Sequence, residues 1–325
     1  MYILAFETSC DDTSVAIMCD DECIALSTRT QLEHDVTGGV VPEVAARSHA
    51  NAIFPCIEDV LSEAHIALHD IDSIACTQKP GLLPSLLTGM TVAKTLSLSL
   101  DKPLIWVDHI EGHIFANYLG RREEDIIFPA VVLTVSGGHT EIYLWKSMFE
   151  LEIIGQTRDD AAGECFDKVA KMMGLGFPGG AKIAKLASEY ENKASIGLFP
   201  EVMLEKQSLD FSFSGLKSAV KREIDKRVTL LGSLSESDMK EIAFEFEHTV
   251  TDILSKKLHR AVEQYSVKMI LLAGGVSANT VLRSKLEKVS KIQNIPFLAP
   301  TKSIYSMDNA AMIGIRAYYQ SLKGG

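Results

Sequence analysis

The sequence predicts an α/β protein built from two similar mixed-sheet domains facing a cleft, and three observations carry that expectation. The 325 residues suit two domains of ordinary size. Each half opens with three short strands and continues as alternating helices and strands. Each half also begins with a hairpin whose turn is made of small polar residues, "ETSCDDTS" at 7–14 and "TVSGGHTE" at 134–141.

In the first half, residues 2–8, 14–19 and 23–31 read as strands joined by tight turns, and 41–65 reads as a helix. "SIACTQ" at 73–78 is a strand, 82–100 a helix, "PLIWVD" at 103–108 a strand, and another helix starts near His109. The second half repeats the order. Residues 128–138, 139–147 and 149–157 read as strands, followed by helices at about 161–174, 180–190 and 236–265. A buried strand, "MILLAGG" at 269–275, leads to a helix over 279–290, a short strand at 296–300 and a last helix from 308 to about 322. The repetition is one of architecture and not of residues. The expected domains are 1–108 joined by 308–325, and 109–307 with an insertion at about 176–235.

Composition removes several function classes. Hydrophobic residues make up 46%, enough to build sizeable cores. No apolar run reaches a membrane span, and "MYILAFE" opens as a strand, so neither a membrane association nor a leader is expected. The six cysteines are scattered without a CxxC pair, which fits a reducing cytoplasm. A formal net charge of −11 argues against coating nucleic acid by bulk electrostatics. A local basic segment does exist at Lys217, Lys221, Arg222, Lys226 and Arg227, and a solvated helix face accounts for it as well as a binding patch does.

Three stretches carry chemistry. Turns of Ser, Thr and Gly present backbone N–H groups and hydroxyls to an anion, and Gly137 and Gly138 let one approach closely. "LLAGGVSAN" ends a buried strand in paired glycines, where α/β sheets tend to bind ligands; Asn279 suits either a ligand contact or a helix cap. In "HIEGH", His109 and His113 stand one helical turn apart, a spacing that serves two metal ligands or two buried histidines. Glu111 stands neither directly after the first His nor directly before the second, so a zinc protease is disfavoured. Asp308 offers a third ligand, although an acid at a helix start suits the helix dipole in any case. Asp11 and Asp12 are candidate orienting groups or a proton acceptor, and also ordinary turn-forming acids.

Together "FETSCDDTSVAI", "GGVVPEVAARSH", "PGLLPSLLTG", "HIEGH", "VSGGHTE", "DDAAGECFDKVAKMMGLGFPGG", "FSFSGLK", "AGGVSAN" and "MDNAAMIG" resemble the tRNA threonylcarbamoyl-adenosine transferases, the TsaD family, in its bacterial branch. The resemblance implies the fold shared by actin, Hsp70 and sugar kinases (ASKHA), with duplicated domains around a central nucleotide cleft. It implies transfer of threonylcarbamoyl from threonylcarbamoyl-AMP to N6 of the adenosine 3′ of the anticodon in tRNAs reading ANN codons, with release of AMP. It implies one divalent metal ion, iron or zinc, on His109, His113 and Asp308, and adenylate contacts from Thr134, Val135, Ser136, Gly137, Gly138, Asp167, Gly180 and Asn279. It implies tRNA, a TsaB-like paralogue and a TsaE-like ATPase as partners. Lys79 departs from the family's usual Gly before Pro80, which touches a loop only. The older description of the family as a sialoglycoprotein endopeptidase fits poorly with the place of Glu111. Two rival readings are an ATP-dependent kinase or ATPase of the same fold, which has no need of His109, His113 and Asp308, and a scaffold of a tRNA-modifying complex.

Overall fold

A computed structural model describes residues 1–31, 40–192, 194–201 and 207–323. Gly38 and Gly39 of the quoted glycine motif, part of the expected insertion, and the last two residues of the expected first domain lie outside them.

The chain divides into two compact units, Met1–Ile126 with Pro300–Gly325, and Ile127–Ala299. In the first, β1 (Tyr2–Glu7), β2 (Asp12–Cys19) and β3 (Glu22–Thr30) form an antiparallel meander. Helix α1 (Pro42–Ala64), β4 (Ser73–Lys79), α2 (Leu83–Leu100) and β5 (Leu104–Asp108) follow, giving the sheet order β3-β2-β1-β4-β5. Strands β1, β4 and β5 run parallel. The second unit repeats the plan with β6 (Ala130–Val135), β7 (Thr140–Ser147), β8 (Glu150–Gln156), β9 (Met269–Ala273) and β10 (Phe297–Leu298), in the order β10-β9-β6-β7-β8. Read outward from its first strand, each sheet has two successive antiparallel pairings on one side and two parallel ones on the other. The inner strands β1, β6 and β9 are almost wholly buried, which is why they read as unbroken apolar runs.

Helix α3 (His109–Phe115) starts directly from β5. The expected first domain ended at residue 108, but α3 packs on the C-terminal helix α9 (Ala310–Leu322), and that packing keeps residues 109–126 in the first unit. The second unit adds α4 (Ala162–Met172), α5 (Gly179–Ser188), α6 (Ser214–Leu231), α7 (Glu236–Tyr265) and α8 (Thr280–Gln293). Helix α6 lies inside the expected insertion; Leu216, Ala219, Val220 and Ile224 form its buried stripe. Each unit has its own core. One is built around Leu4, Phe6, Ile17, Ile53 and Ile74, the other around Leu133, Phe166, Phe211, Phe246 and Leu272.

Candidate functional site

Parallel pairing of β1, β4 and β5 brings the carboxyl ends of three strands side by side, Phe6 opposite Cys76 and Thr77 opposite Val107. Glu7, Thr77 and His109 stand at that edge. Asp108 caps α3, its Oδ1 accepting from the N–H groups of Ile110 (2.9 Å) and Glu111 (3.3 Å), and this fixes His109 on the first turn. Gly112 lets α3 approach α9: a Cβ there would fall 2.9 Å from Ile313 Cδ1. Asp308 stands just before Asn309, which caps α9 through Met312 N–H at 3.1 Å.

The result is a His-His-Asp cluster whose ligand atoms all lie within 4.8 Å of one another. His113 Nε2 is 3.0 Å and His109 Nε2 3.6 Å from Asp308 Oδ1. His109 and His113 are buried, and Asp308 is a quarter exposed, at 24%. Behind the cluster, His109 Nδ1 is 3.0 Å from Glu7 Oε2, so the opposite nitrogen faces His113 and Asp308. Burial opposes charge on His109, but the Glu7 and Asp308 carboxylates outweigh it and raise its pKa to about 9. Two imidazoles and one carboxylate form a borderline donor set, suited to zinc or iron, and three protein ligands leave coordination positions open for substrate. On that donor set the residues fit the metal the sequence implied. Glu111 points away to Arg316, at 2.7 Å, and has no part in the cluster.

Asp11 ends the turn before β2, and Asp12 is the first residue of that strand. Asp12 accepts from Thr30 Oγ1 at 2.5 Å, and its burial, helped by the nearby Asp308, Asp11 and Glu7 carboxylates, raises its pKa to about 7 against the pull of Thr30. The Asp11 carbonyl accepts from Gln31 N–H at 3.2 Å. The turn is backed by buried His49, whose ring nitrogens lie 2.7 Å from Thr13 Oγ1 and 2.9 Å from the Cys10 carbonyl. It is also covered by the 80–82 loop, with Leu82 N–H donating to the Ser9 carbonyl at 2.8 Å.

In the second unit, β6 and β9 run parallel, Thr134 opposite Ala273, so their glycine turns share one edge. Ser136 N–H donates to the His139 carbonyl at 2.8 Å and closes the turn that holds Gly137 and Gly138. A Cβ at Gly137, Gly138, Gly180 or Gly275 would meet nothing within 4 Å, which leaves those positions open to a ligand. Thr134 and Val135 differ from these: both side chains are fully buried in β6. Asp167 Oδ1 accepts from Gly179 N–H at 2.7 Å and so holds the start of α5 beside α4. Asn279 caps α8 through Leu282 N–H at 2.8 Å, while its Nδ2 donates to buried Glu247 at 2.7 Å.

Sequence reasoning missed several supporting residues. Gly163 and Gly274 hold the frame: a Cβ on the first would sit 2.4 Å from the Ser136 carbonyl oxygen, and on the second 2.5 Å from that of Val135. Gly274 also has φ +84°, a left-handed conformation that favours glycine. Glu7 and Glu247 gave a readable signal, since each is a carboxylate set in an otherwise core-facing pattern.

The sequence profile of the family described as "tRNA N6-adenosine threonylcarbamoyltransferase" (TsaD) matches residues 22–315. A protein of that name from Staphylococcus haemolyticus (strain JCSC1435) is 46% identical over 324 residues, covering 99% of this chain and 92% of its own length. Another from Staphylococcus aureus (strain JH9) is 44% identical over the same span. Among solved structures, HypF from T. kodakarensis aligns with TM-score 0.66 at 13% identity, over 99% of this chain and 48% of that one. Component A of (R)-2-hydroxyglutaryl-CoA dehydratase from Acidaminococcus fermentans aligns with TM-score 0.56 at 15% identity, over 99% of both chains. The ROK hexokinase from Thermus thermophilus gives 0.52 at 13%, over 99% of this chain and all of that one. At these identities the structural likenesses speak for the fold, which is of the ASKHA type.

Proposed function

The chain belongs to the TsaD family of tRNA N6-adenosine threonylcarbamoyltransferases, and from that premise we infer how its residues share the reaction. It is a transferase that acts on tRNA and forms N6-threonylcarbamoyladenosine. The donor we propose is threonylcarbamoyl-AMP, and the acceptor is N6 of the adenosine 3′ of the anticodon in tRNAs reading ANN codons. The N6–carbonyl bond forms, the bond from that carbonyl to the AMP oxygen breaks, and AMP leaves.

N6 is a poor nucleophile because its lone pair is delocalised into the purine, so the acyl carbonyl needs activation. His109, His113 and Asp308 would hold the divalent ion, zinc or iron, and when bound it would supply Lewis acidity to an oxygen of the donor. Backbone groups of Ser136, Gly137 and Gly138, with the open surface at Gly180 and Gly275, take the AMP portion. Thr134 and Val135 shape that turn from inside the sheet, and Asp167 and Asn279 hold the helix starts beside it. Asp12, with its pKa near 7, is the residue we assign to accept the N6 proton, with Asp11 beside it as an orienting group. The observation that carries the metal-assisted transfer is the convergence of His109, His113 and Asp308 from two distant parts of the sequence.

A TsaB-like paralogue and a TsaE-like ATPase complete the proposed assembly. Exposed Phe54 and Leu87, at 58% and 50%, flank an apolar groove between α1 and α2 and support a protein partner. No helix among the described residues is long and apolar enough to cross a membrane, and we assign the reaction to the cytoplasm.

The test is a transfer assay with synthetic threonylcarbamoyl-AMP and unmodified tRNA, with and without the two partners, read by nucleoside mass spectrometry. The modified nucleoside should form with wild type and not with a His109→Ala/His113→Ala variant. Equal product from both would remove the metal cluster from the mechanism.

A further inference from the structure

We propose that Glu7 is a positioning residue for the metal centre: it fixes the ring of His109 and makes that histidine the pre-set ligand of the trio, while His113 is the unbraced one. The proposal rests on the metal-site reading above and goes beyond it, because Glu7 contributes no ligand atom to the cluster.

Glu7 ends β1 and is fully buried. Its carboxylate collects three donors. Ser9 N–H reaches Oε1 at 2.5 Å, while Thr77 Oγ1 at 2.5 Å and His109 Nδ1 at 3.0 Å both reach Oε2. A carboxylate can only accept, so Nδ1 of His109 must carry the hydrogen. In neutral His109 the lone pair is then on Nε2, the nitrogen turned toward His113 and Asp308. The adjacent ends of three parallel strands supply Glu7, Thr77 and the Asp108–His109 junction, so sheet pairing itself sets this geometry.

His113 has no such support. Its Nδ1 is buried without a hydrogen-bond partner among the described residues. Its Nε2 meets Asp308 at 3.0 Å, a carboxylate that is itself a candidate ligand. The two rings lie close, with centroids 4.7 Å apart and planes at 80°, yet one is held from behind and the other is not. A carboxylate behind a metal-binding imidazole fixes its tautomer and orientation and raises its basicity. Ser9 Oγ lies 3.2 Å from the same Nδ1 and is the competing candidate for this role. It is farther away and uncharged, so the assignment goes to Glu7.

The experiment measures Zn²⁺ affinity of the metal-free full chain by competition with a chromophoric chelator, and the absorption spectrum of the Co²⁺ form. Glu7→Gln keeps the shape but leaves one acceptor oxygen against three donors. It should weaken Zn²⁺ by about 10- to 100-fold and shift the Co²⁺ spectrum. Thr77→Val removes one of the donors that hold Glu7 and should weaken Zn²⁺ several-fold. Ser9→Ala should leave affinity near wild type. If Glu7→Gln does not fold, judged by circular dichroism and thermal melting, Thr77→Val carries the decision. Wild-type affinity in folded Glu7→Gln, or in Thr77→Val when the former is unfolded, overturns the proposal, as does a larger loss in Ser9→Ala than in Glu7→Gln. Wild type failing to bind Zn²⁺ would sink the metal-site reading along with it, whereas tight wild-type binding matched by Glu7→Gln would sink this inference alone.

Discussion

Glu111 Oε2 lies 2.7 Å from both Nε and Nη2 of Arg316, so the acid of the "HIEGH" stretch fastens α3 to α9. The guanidinium also covers the Phe115 ring, 4.7 Å from its centroid. Glu111 thereby holds the helix of His113 against the helix that Asp308 precedes, and hydrolysis needs no part in its explanation. Glu111→Gln should lower stability by about 1 kcal/mol, the scale of a partly exposed charged pair. Arg316→Ala should cost more, about 2 kcal/mol, because packing on Phe115 is lost as well. Urea unfolding of both variants checks the order.

Removal of any one of the three proposed ligands should empty the proposed metal site. His109→Ala, His113→Ala and Asp308→Ala are expected to retain the fold and to lose bound metal and transfer together. Metal analysis of untagged protein beside the transfer assay is the check; full occupancy in the double histidine variant would contradict it.

Glycines of the second unit should separate into two kinds. Gly137→Val and Gly275→Val enter open space, so they should fold normally and lose nucleotide affinity in calorimetry. Gly163→Ala and Gly274→Ala place a methyl 2.4 Å and 2.5 Å from backbone oxygens, so they should destabilise the unit itself. A cost of about 2 kcal/mol or more is expected there, with strain at the left-handed Gly274 adding to the clash.

The basic segment needs a sharper assignment than its spacing offered. Lys168 and Lys217 both pair with Asp160, at 2.7 Å and 2.5 Å, and that shared carboxylate offsets their charge. Lys221 and Arg222 stay exposed on α6. Charge reversal at Lys221 and Arg222 should therefore weaken tRNA binding and lower the salt slope by roughly one to two. Lys217→Glu should act mainly on the packing of α6. Affinity measured across a salt series, with the partner present, distinguishes the two.

Asp159 caps α6 from outside the helix. Its carboxylate accepts from Ser212 Oγ, Phe213 N–H and Ser214 Oγ at 2.5, 2.8 and 2.7 Å. Burial alone would raise its pKa, but these donors outweigh it and hold the group below the usual carboxylate range. A depressed folded-state pKa adds stability above the unfolded value, about 3.9, and that stability disappears as pH falls through the lower folded value. Asp159→Asn should therefore be less stable than wild type at pH 7, and the difference should shrink below about pH 4. Urea midpoints at several pH values test the sign.

The sequence made the strands and most helices readable because their burial is two-sided or strictly periodic, as in "YILAF" and "MILLA". The His-His-Asp trio was legible as residue types, since helical spacing fixes His109 relative to His113. Its convergence with Asp308 came from the family resemblance and not from spacing, because α9 returns across the first sheet and brings Asp308 from a distant part of the chain. Helix α6 was legible only as a basic helix face: its buried stripe of Leu216, Ala219, Val220 and Ile224 is narrow among lysines and arginines. The role of Glu7 depends on which strand ends lie side by side, and strand order cannot be read from a periodicity. Thr134 and Val135 looked like part of the turn, whereas they belong to the strand that supports it.

The C-terminal return of α9 has a consequence for synthesis. Ala310, Ala311, Ile313, Ile315 and Ala317 are fully buried, and burying each isoleucine contributes roughly 1.5–3 kcal/mol. A ribosome makes residues 127–299, which form one continuous unit, after β1–β5 and before α9. The earlier unit must therefore wait, with part of its sheet uncovered, while the later one has all its residues and is free to fold. Both histidines are present long before Asp308 emerges. A metal ion held by the proposed trio would therefore be captured only after residues 127–299 have been made, because Asp308 follows them in the chain.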